Sequence, residues 1–474
     1  MSQNSLLNRT LRHLRQAWSD LNTTLRREDQ YCVDPALSDR DVDYFRQQIK
    51  SCLAAPGGEW AKRAQAAHIG HAYMSLNKQG RLRFLHLLAR DFDADEQKIQ
   101  QAIDVYMRAS NVDEKPRLRH KLSKVLIAPR VQLLTLFNAM PSGIKFLVDM
   151  RSELLEMEAS KDVELREVEK DLKHLLTTWF DIGFLQLQQL TWNSSASLLE
   201  KLIEYEAVHE ITSWVDLKNR MAADRRLFAF IHPNMEDEPL IFVQVALCNG
   251  LATNVQTLLD THARTYDVAG ANTAIFYSIS NAQKGLSGIS FGNFLIKRVV
   301  ANLKKEFPQL KRFATLSPVP GFMKWLSEAE LGDNTFLSQS ERAAIKKLAA
   351  HLSVEARLMD LLAVLAWHQN THICDVLKPI LLRLCAEYLM NLQQGKQRAR
   401  DGVAHFHLGN GATLQQINWM ADVSPKGIRQ SGGMMVNYLY DPDTIDHNSE
   451  NYMQAGVIAA STDVQELRAM VSAR

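Results

Sequence analysis

The stretch from residue 272 to 325 constrains the fold of this chain more than any other, because it alternates between the patterns of a strand, a turn, a helix and a second strand. A β-prone run at 272–280 leads into a glycine-spaced turn at 283–292. Apolar residues then recur at helical spacing up to Pro308, and a second β-prone run follows at 312–316. This order of patterns predicts a β-turn-α-β unit.

The turn of this unit carries three glycines, Gly285, Gly288 and Gly292. Glycines have no Cβ atoms, so their backbone amides can approach an anion closely. The following helix adds free N–H groups and the positive end of its dipole, which makes a phosphate or pyrophosphate the natural ligand. The spacing matches neither the dinucleotide fingerprint nor the nucleotide phosphate loop. A purely structural strand-to-helix connection therefore stays open as the alternative.

The second strand runs into the segment 317–321, where Pro318 and Pro320 lack N–H donors and are expected to end strand pairing. Ser317 would then lie at the carboxyl end of a strand that follows a crossover helix. Open α/β sheets bind their ligands at that edge, so Ser317 is a candidate site residue. The alternative is that Ser317 only opens a turn.

Two histidines, His405 and His407, flank Phe406 further along the chain. The alternation predicts a short strand from which both imidazoles leave the same face. Imidazole can hold or release a proton near neutral pH, which favours a catalytic role. No third ligand at diagnostic spacing accompanies the pair and the H-E-x-x-H pattern is absent, so we predict no metal site.

Taken together, these segments resemble the malonyl-CoA decarboxylase family. The resemblance runs from about Trp179 to Tyr440, and the helical part before it is compatible. The matching segments, in chain order, are 205–209, Trp214, 216–218, Arg225 and Arg226, 238–240, 277–280, 288–298, 316–322, Lys324 and Trp325, 405–422 and 437–440.

The resemblance implies an α+β fold class: an all-helical N-terminal domain, followed by a catalytic domain with the fold of the Gcn5-related acetyltransferases. In that fold coenzyme A lies in a gap between two strands. The resemblance also implies that Ser317 is the catalytic serine, that His407 donates a proton and that Tyr440 lies near the acyl group. The substrate-binding residues that it implies are Ser287, Gly288, Ile289, Ser290, Phe291, Gly292 and Asn293. Where this chain has Ser290 some relatives carry glutamate, so no role built on that carboxylate transfers here.

The implied reaction converts malonyl-CoA to acetyl-CoA and CO2 through a thioester enolate that His407 protonates. Ser317 would orient the malonyl carboxylate or accept a proton. The chemistry needs donors to the thioester oxygen and a proton for the α-carbon, and neither a metal nor an organic cofactor. Two other functions stay open: an acyl-CoA-dependent acyltransferase on the same scaffold, and a non-catalytic acyl-CoA sensor.

Composition limits the partners. A net charge of only +2 gives no general reason to expect nucleic acid or a membrane surface as a partner, and no apolar run is long enough to span a membrane. The five cysteines are scattered and never in C-x-x-C spacing, which predicts reduced thiols. The expected partners are malonyl-CoA, acetyl-CoA and further copies of the chain.

Only 6 of 21 glycines lie in residues 1–190. We therefore predict a helical domain over 1–190, serving structural support and homo-oligomer contacts, and a catalytic domain over 191–474 with a helical insert at about 340–394. Residues 1–19 contain three arginines and no acidic residue. A first amphipathic helix of a cytoplasmic enzyme is the favoured interpretation, and a presequence for the mitochondrial matrix is the alternative.

Three local patterns add detail. Apolar periodicity over 151–180 predicts helical structure, and the charged stretch from 153 to 173 is expected to be a solvated helix surface. Ser197 and Glu200 have the spacing of a capping box at a helix start. The run at 226–231 is expected to pair with 240–248 as a hairpin.

Overall fold

The structure, a computed structural model, describes residues 33–55, 58–157, 161–235, 237–289, 294–332 and 336–469. The amphipathic helix or presequence predicted for residues 1–19 lies outside these residues, and so do four predicted substrate-binding residues, Ser290, Phe291, Gly292 and Asn293. The chain forms two compact units. The first comprises Met1–Gln186, Ile231–Leu240 and Ala282–Ser290, and the second comprises Leu187–Phe230, Ile241–Asn281 and Phe291–Arg474.

The described part of the first unit is mostly helical from Asp39 to Trp179, as its low glycine content predicts. Edge-to-face aromatic contacts form much of its core: the rings of Phe45, Phe84, Tyr73, Phe146 and Phe137 follow one another with centroids 5.0 to 5.6 Å apart. Its helices are α1 (Asp39–Ala54), α2 (Glu59–Ser75), α3 (Lys78–Asp91), α4 (Glu96–Arg108), α5 (Lys115–Val125), α6 (Pro129–Asn138), α7 (Gly143–Glu156) and α8 (Val163–Trp179).

The helical structure predicted over 151–180 is divided between two helices, α7 and α8. Asp162 begins the second one, where its side chain accepts the N–H groups of residues 164 and 165. Not all of the charged side chains from 153 to 173 face solvent. The carboxylate of Glu153 is mostly buried, pairs with Arg81 and accepts a hydrogen bond from the Tyr73 hydroxyl at 2.7 Å.

The second unit is built on a mixed sheet. Eight strands of the described residues form it in the order β1-β2-β3-β4-β5-β8-β6, and β7 pairs with β8 beside this path. The predicted hairpin is confirmed, since β2 and β3 are neighbours in the sheet. The strands are β1 (Gln186–Leu190), β2 (Arg225–Ile231), β3 (Pro239–Cys248), β4 (Thr273–Asn281), β5 (Arg312–Thr315), β6 (Ser317–Pro318), β7 (Thr413–Asn418) and β8 (Met435–Leu439).

The predicted β-turn-α-β unit is confirmed. Strands β4 and β5 are parallel, and helix Phe294–Glu306 joins them and ends before Pro308. The strands stay paired only as far as Phe276 and Thr315, and the N–H of Leu316 adds one bond to the Phe276 carbonyl at 3.0 Å.

The expectation that strand pairing ends at Ser317 was wrong. Ser317 and Pro318 leave β4 and pair instead with Val436 and Met435 of β8. Proline is tolerated there because β6 lies at the end of the sheet order, where one side of the strand needs no donor. The exchange of partner strands separates β6 from the last residues of β4 and opens the sheet between them.

Helices fill the rest of the second unit. The predicted cap at Ser197 was wrong: Ser195 caps the first of these helices, accepting the N–H of Leu198, whereas a capping box does occur at Ser338 and Glu341. None of the described helices is both long and apolar enough to cross a membrane. The helices are α9 (Ala196–Tyr205), α10 (Trp214–Asn219), α11 (Val255–Leu259), α12 (Phe294–Glu306), α13 (Phe322–Gly332), α14 (Gln339–Leu352), α15 (Leu358–Leu362), α16 (Thr371–Met390), α17 (Gly402–Gly409), α18 (Pro425–Ser431), α19 (Ile445–Ala455) and α20 (Thr462–Ala469).

Candidate active site

His405 and His407 lie on helix α17 and not on the predicted strand. Asp401 causes the difference, because its side chain accepts the N–H groups of Val403 at 2.8 Å and Ala404 at 3.0 Å and so begins a helix. Two positions along a helix differ by about 200° in direction, so the imidazoles diverge. His405 Nδ1 lies 2.7 Å from the Tyr452 hydroxyl, while His407 faces another set of partners.

Three of the predicted site residues come together around His407. Its Nε2 lies 3.0 Å from Ser317 Oγ, and its Nδ1 lies 2.7 Å from the Tyr440 hydroxyl. All three side chains are buried, with exposed fractions of 2% for His407, 7% for Ser317 and 3% for Tyr440. The Tyr438 ring stacks on the imidazole with centroids 4.5 Å apart, so the ring plane of His407 is fixed.

Burial sets the protonation states of this group. Desolvation lowers the pKa of His407 to about 3 and raises the pKa of Tyr440 well above its ordinary value. At neutral pH the imidazole and the phenol are therefore both uncharged. A neutral imidazole has one N–H donor and one acceptor nitrogen, so His407 donates to one of its two partners and accepts from the other.

Behind Ser317 lies a buried hydroxyl that the sequence did not point to. Ser317 Oγ donates to Thr315 Oγ1 at 3.0 Å, and Thr315 Oγ1 also accepts the N–H of Tyr438 at 3.2 Å. The Thr315 carbonyl accepts from the Asn437 amide at 2.8 Å. No pattern within β5 marks Thr315, because its partners lie on a distant part of the chain.

A cavity of about 270 Å³ opens where β4 and β6 separate. This is about the volume of nine water molecules in the liquid, enough for an acyl thioester. Ser317 and His407 supply polar atoms to its wall, and none of the lining residues that the structure describes is charged. The lining residues are Val208, Ile241, Val243, Phe276, Tyr277, Ile279, Asn281, Leu295, Ile296, Ser317, Pro318, Gly402, Val403, Phe406 and His407.

Glu206 holds one wall of this cavity and was also missed as a functional residue. Its carboxylate accepts the N–H groups of Val208 at 2.8 Å and His209 at 2.9 Å. It also accepts from Ser278 of β4 at 2.9 Å and from Gln244 of β3 at 2.6 Å. These bonds tie the segment that carries Val208 to the sheet. The resemblance covered this segment, but the single sequence gives Glu206 no distinguishing pattern.

The predicted phosphate turn belongs to the first unit as far as it is described. A Cβ atom on Gly285 would lie 1.8 Å from the Val148 carbonyl oxygen, so packing alone requires this glycine. Gly288 has a φ of +73°, which glycine adopts without strain. The N–H groups of Ser287 and Ile289 donate to the carbonyls of Lys284 and Leu286, each at 3.0 Å. The binding roles of Ser287, Gly288 and Ile289 stay predictions.

One group of possible metal ligands occurs among the described residues: His86, Asp162 and Glu164 of the first unit. Its charges are already compensated, because Arg90 Nε donates to the Glu164 carboxylate at 2.7 Å and Asp162 caps helix α8. We interpret the group as an ion-pair cluster.

Two family models match the chain. Residues 92–180 match the model described as malonyl-CoA decarboxylase N-terminal domain, and residues 183–473 match the model described as malonyl-CoA decarboxylase C-terminal domain.

Individual relatives agree with these models. The chain is 39% identical over 399 residues to the mitochondrial malonyl-CoA decarboxylase of the goose Anser anser anser, covering 81% of this chain and 79% of that protein. It is 39% identical over 341 residues to the rat protein of the same name, with coverage of 70% and 69%.

Solved structures of bacterial malonyl-CoA decarboxylases are similar as well. The proteins of Rhodopseudomonas palustris and Agrobacterium vitis each give a TM-score of 0.81 at 40% identity, covering 90% of this chain and 99% of theirs. The Cupriavidus metallidurans protein gives a TM-score of 0.68 at 38% identity, with coverage of 90% and 100%.

Proposed function

The chain belongs to the malonyl-CoA decarboxylase family, and from that premise we propose that it converts malonyl-CoA to acetyl-CoA and CO2 at the site of Ser317, His407 and Tyr440. The observation that carries the proposal is the hydrogen-bonded series Ser317–His407–Tyr440. Two of its members line a cavity whose described wall residues are all uncharged. Both features suit the loss of CO2 from a malonyl thioester.

The uncharged wall favours loss of the carboxylate. A carboxylate in this cavity has no cationic partner among the described lining residues and has lost much of its hydration, which raises its free energy. Decarboxylation removes that localised charge as neutral CO2 and spreads the electron pair over the thioester enolate. The cavity therefore stabilises the transition state more than the bound substrate, as catalysis requires.

His407 then supplies the proton that completes the reaction. When the bond between the α-carbon and the carboxylate carbon breaks, the electron pair stays on the enolate, whose α-carbon takes the proton of His407 Nε2. Nδ1 takes the hydroxyl proton of Tyr440 at 2.7 Å. After product release Nδ1 returns this proton to Tyr440, and solvent that enters the cavity reprotonates Nε2. One proton is consumed per turnover, and no metal or organic cofactor enters the scheme. A positioned acid of this kind contributes about 10²–10⁴ in rate.

The remaining features of the proposal concern coenzyme A. The separation of β4 from β6 supports an acyl-CoA held between two strands, as in the Gcn5-related acetyltransferases. We propose that the glycine turn at 283–292 binds the pyrophosphate and that the stretch from Ser287 to Asn293 holds the malonyl thioester. Gly288→Val should then raise the KM for malonyl-CoA strongly. An unchanged KM would show that the turn has only a structural role.

The decisive experiment supplies malonyl-CoA alone in D2O and follows the products by mass spectrometry. Decarboxylation predicts CO2 together with acetyl-CoA that has gained deuterium at the methyl group. An acyltransferase would yield no product without an acceptor, and a sensor would only bind.

Substitutions assign the reaction to the site. His407→Asn and Ser317→Ala should each lower kcat by about 10²-fold or more, while His405→Asn on the same helix should leave kcat within about threefold. Wild-type rates in either of the first two variants would contradict the assignment of that residue.

We also propose that the helical unit forms homo-oligomer contacts. Apolar side chains on α4, between α4 and α5, and directly after α5 support this, since Met107 is 74% exposed, Val112 77% and Leu126 54%. Sedimentation of the wild type and of a variant with these three residues changed to serine measures the effect. An unchanged assembly state would contradict it.

A further inference from the structure

The proton of the Ser317 hydroxyl has two possible acceptors at the same distance. Thr315 Oγ1 and His407 Nε2 each lie 3.0 Å from Ser317 Oγ. The geometry at the two hydroxyls makes Ser317 the donor and Thr315 the acceptor. Ser317 has only one proton to give, so its remaining capacity toward His407 is that of an acceptor.

The position of the Thr315 hydroxyl is fixed by the sheet. Its oxygen accepts the backbone N–H of Tyr438 at 3.2 Å, and the Thr315 carbonyl accepts a hydrogen bond from the Asn437 side chain at 2.8 Å. Thr315 is fully buried and does not line the cavity. It can therefore influence a bound substrate only through its neighbours, and Ser317 is the neighbour that shares a hydroxyl hydrogen bond with it and lines the cavity.

The tautomer of His407 follows from this arrangement. If Ser317 accepts at Nε2, the imidazole proton must be on Nε2, and Nδ1 is left with a lone pair that accepts the Tyr440 hydroxyl at 2.7 Å. In the opposite tautomer Nδ1–H would donate to Tyr440, and a bare nitrogen would face Ser317 and the cavity. That form has no proton to deliver to an enolate carbon.

We propose that Thr315 is a positioning residue that selects the Nε2–H tautomer of His407 by accepting the Ser317 hydroxyl proton. The catalytic consequence rests on the proposed decarboxylase function, because only an enolate needs a proton from this nitrogen. The tautomer itself is independent of the reaction and can be measured without substrate.

The direct test is ¹⁵N NMR of histidine-labelled full-length protein, with the His407 signals assigned by their loss in His407→Asn. The wild type should show a protonated Nε2 and an unprotonated Nδ1. Thr315→Val keeps the shape of the side chain without its hydroxyl and should move a substantial share of the proton to Nδ1. Thr315→Ser restores the acceptor and should return the wild-type pattern.

Either of two NMR results would overturn the proposal: a proton on Nδ1 in the wild type, or an unchanged Nε2–H in folded Thr315→Val. The first does not depend on whether the valine variant folds. Loss of the correct tautomer at a catalytic histidine can cost as much as about 10⁴ in rate, and a partial shift should cost less. We expect kcat of Thr315→Val to fall about 10- to 100-fold, with KM within about threefold of wild type.

Thr273→Val is the matched control, because Thr273 is a fully buried threonine of β4 in the same sheet, and its hydroxyl donates to Asn272 away from the site. It should keep both kcat and the His407 spectrum. A loss of kcat equal to that of Thr315→Val would show a general effect on the sheet and contradict the specific role. If wild-type protein released no CO2 from malonyl-CoA, the proposed function would fail while the NMR result still decided the tautomer.

Discussion

The imidazole of His407 is held neutral by its surroundings. It is 2% exposed and stacks on Tyr438, and its hydrogen-bond partners among the described residues are both hydroxyl groups. Desolvation is the physical cause that lowers its pKa to about 3. In the proposed reaction, a charged imidazolium would form an ion pair with the substrate carboxylate and stabilise the state that must react. The neutral state of His407 therefore suits the proposed chemistry.

The lowered pKa predicts a pH dependence of stability. Above pH 6.5 His407 is neutral in both states, so it contributes no slope. As the pH falls from 6.5 toward 3, the unfolded chain gains a proton that the folded chain does not, and the free energy of unfolding falls by up to about 1.4 kcal/mol per pH unit. Urea unfolding gives the free energy of unfolding of wild type and of His407→Asn. Relative to the variant, the wild type should lose about 1–2 kcal/mol of stability between pH 6.5 and 5. Parallel pH curves for the two proteins would contradict the buried neutral state.

Phe406 tests the role of the uncharged cavity wall. It lines the cavity and is 38% exposed, so Phe406→Lys can keep its ammonium hydrated at the rim. A cation there would stabilise the malonyl carboxylate before it reacts, so KM should fall while kcat falls about tenfold or more. Steady-state kinetics measures KM and kcat separately, and Phe406→Met is the uncharged control. A rise in kcat in the lysine variant would refute ground-state destabilisation by the wall.

Among the elements, helix α17 shows where local patterns stop being informative. The His-Phe-His alternation spans only three residues, too few to define a period of two, and Asp401 was the better signal because aspartate favours helix starts. The β-turn-α-β unit was predictable because both of its periods persist over many residues. Two other features could not be predicted, because they depend on partners distant in sequence. These are the pairing of Ser317 with β8 instead of β4 and the hydrogen bond from Tyr438 to Thr315.

Asp401 links α17 to the turn that follows Ser317. One carboxylate oxygen caps the helix, and the other accepts the N–H of Gly321 at 3.3 Å. Asp401→Ala should lower stability by about 1–2 kcal/mol and also lower kcat, because His407 and Ser317 lose a common anchor. The comparison is Ser195→Ala, which removes the cap of α9. It should cost similar stability with little change in kcat. Equal kcat values in the two variants would contradict the anchoring role.

At the level of the whole molecule, the backbone passes between the two units repeatedly. The connections Ile231–Leu240 and Ala282–Ser290 are joined covalently to strands of the second unit but belong to the first. Within the first unit, Gly285 packs against the Val148 carbonyl and Gln283 donates to Pro239 at 3.1 Å. A cut at one position in the chain therefore does not separate the units into self-sufficient parts.

Expression of residues 187–474 alone tests this. The fragment should be poorly soluble or inactive, because two of its segments lack the helices on which they pack. Co-expression with residues 1–186 should restore malonyl-CoA turnover, measured as CO2 release. A fragment as stable and active as the full chain would show that these segments need no partner.

The place of β8 in the chain has a consequence for protein synthesis. This strand pairs with β5, β6 and β7, all of which precede it, and Tyr440 follows directly after it. On the ribosome, Ser317 and His407 emerge well before the strand that aligns them, and until then three strands have exposed edges. A nascent chain therefore carries the candidate site residues before they are aligned, and its unpaired strand edges are open to edge-to-edge aggregation until β8 is complete.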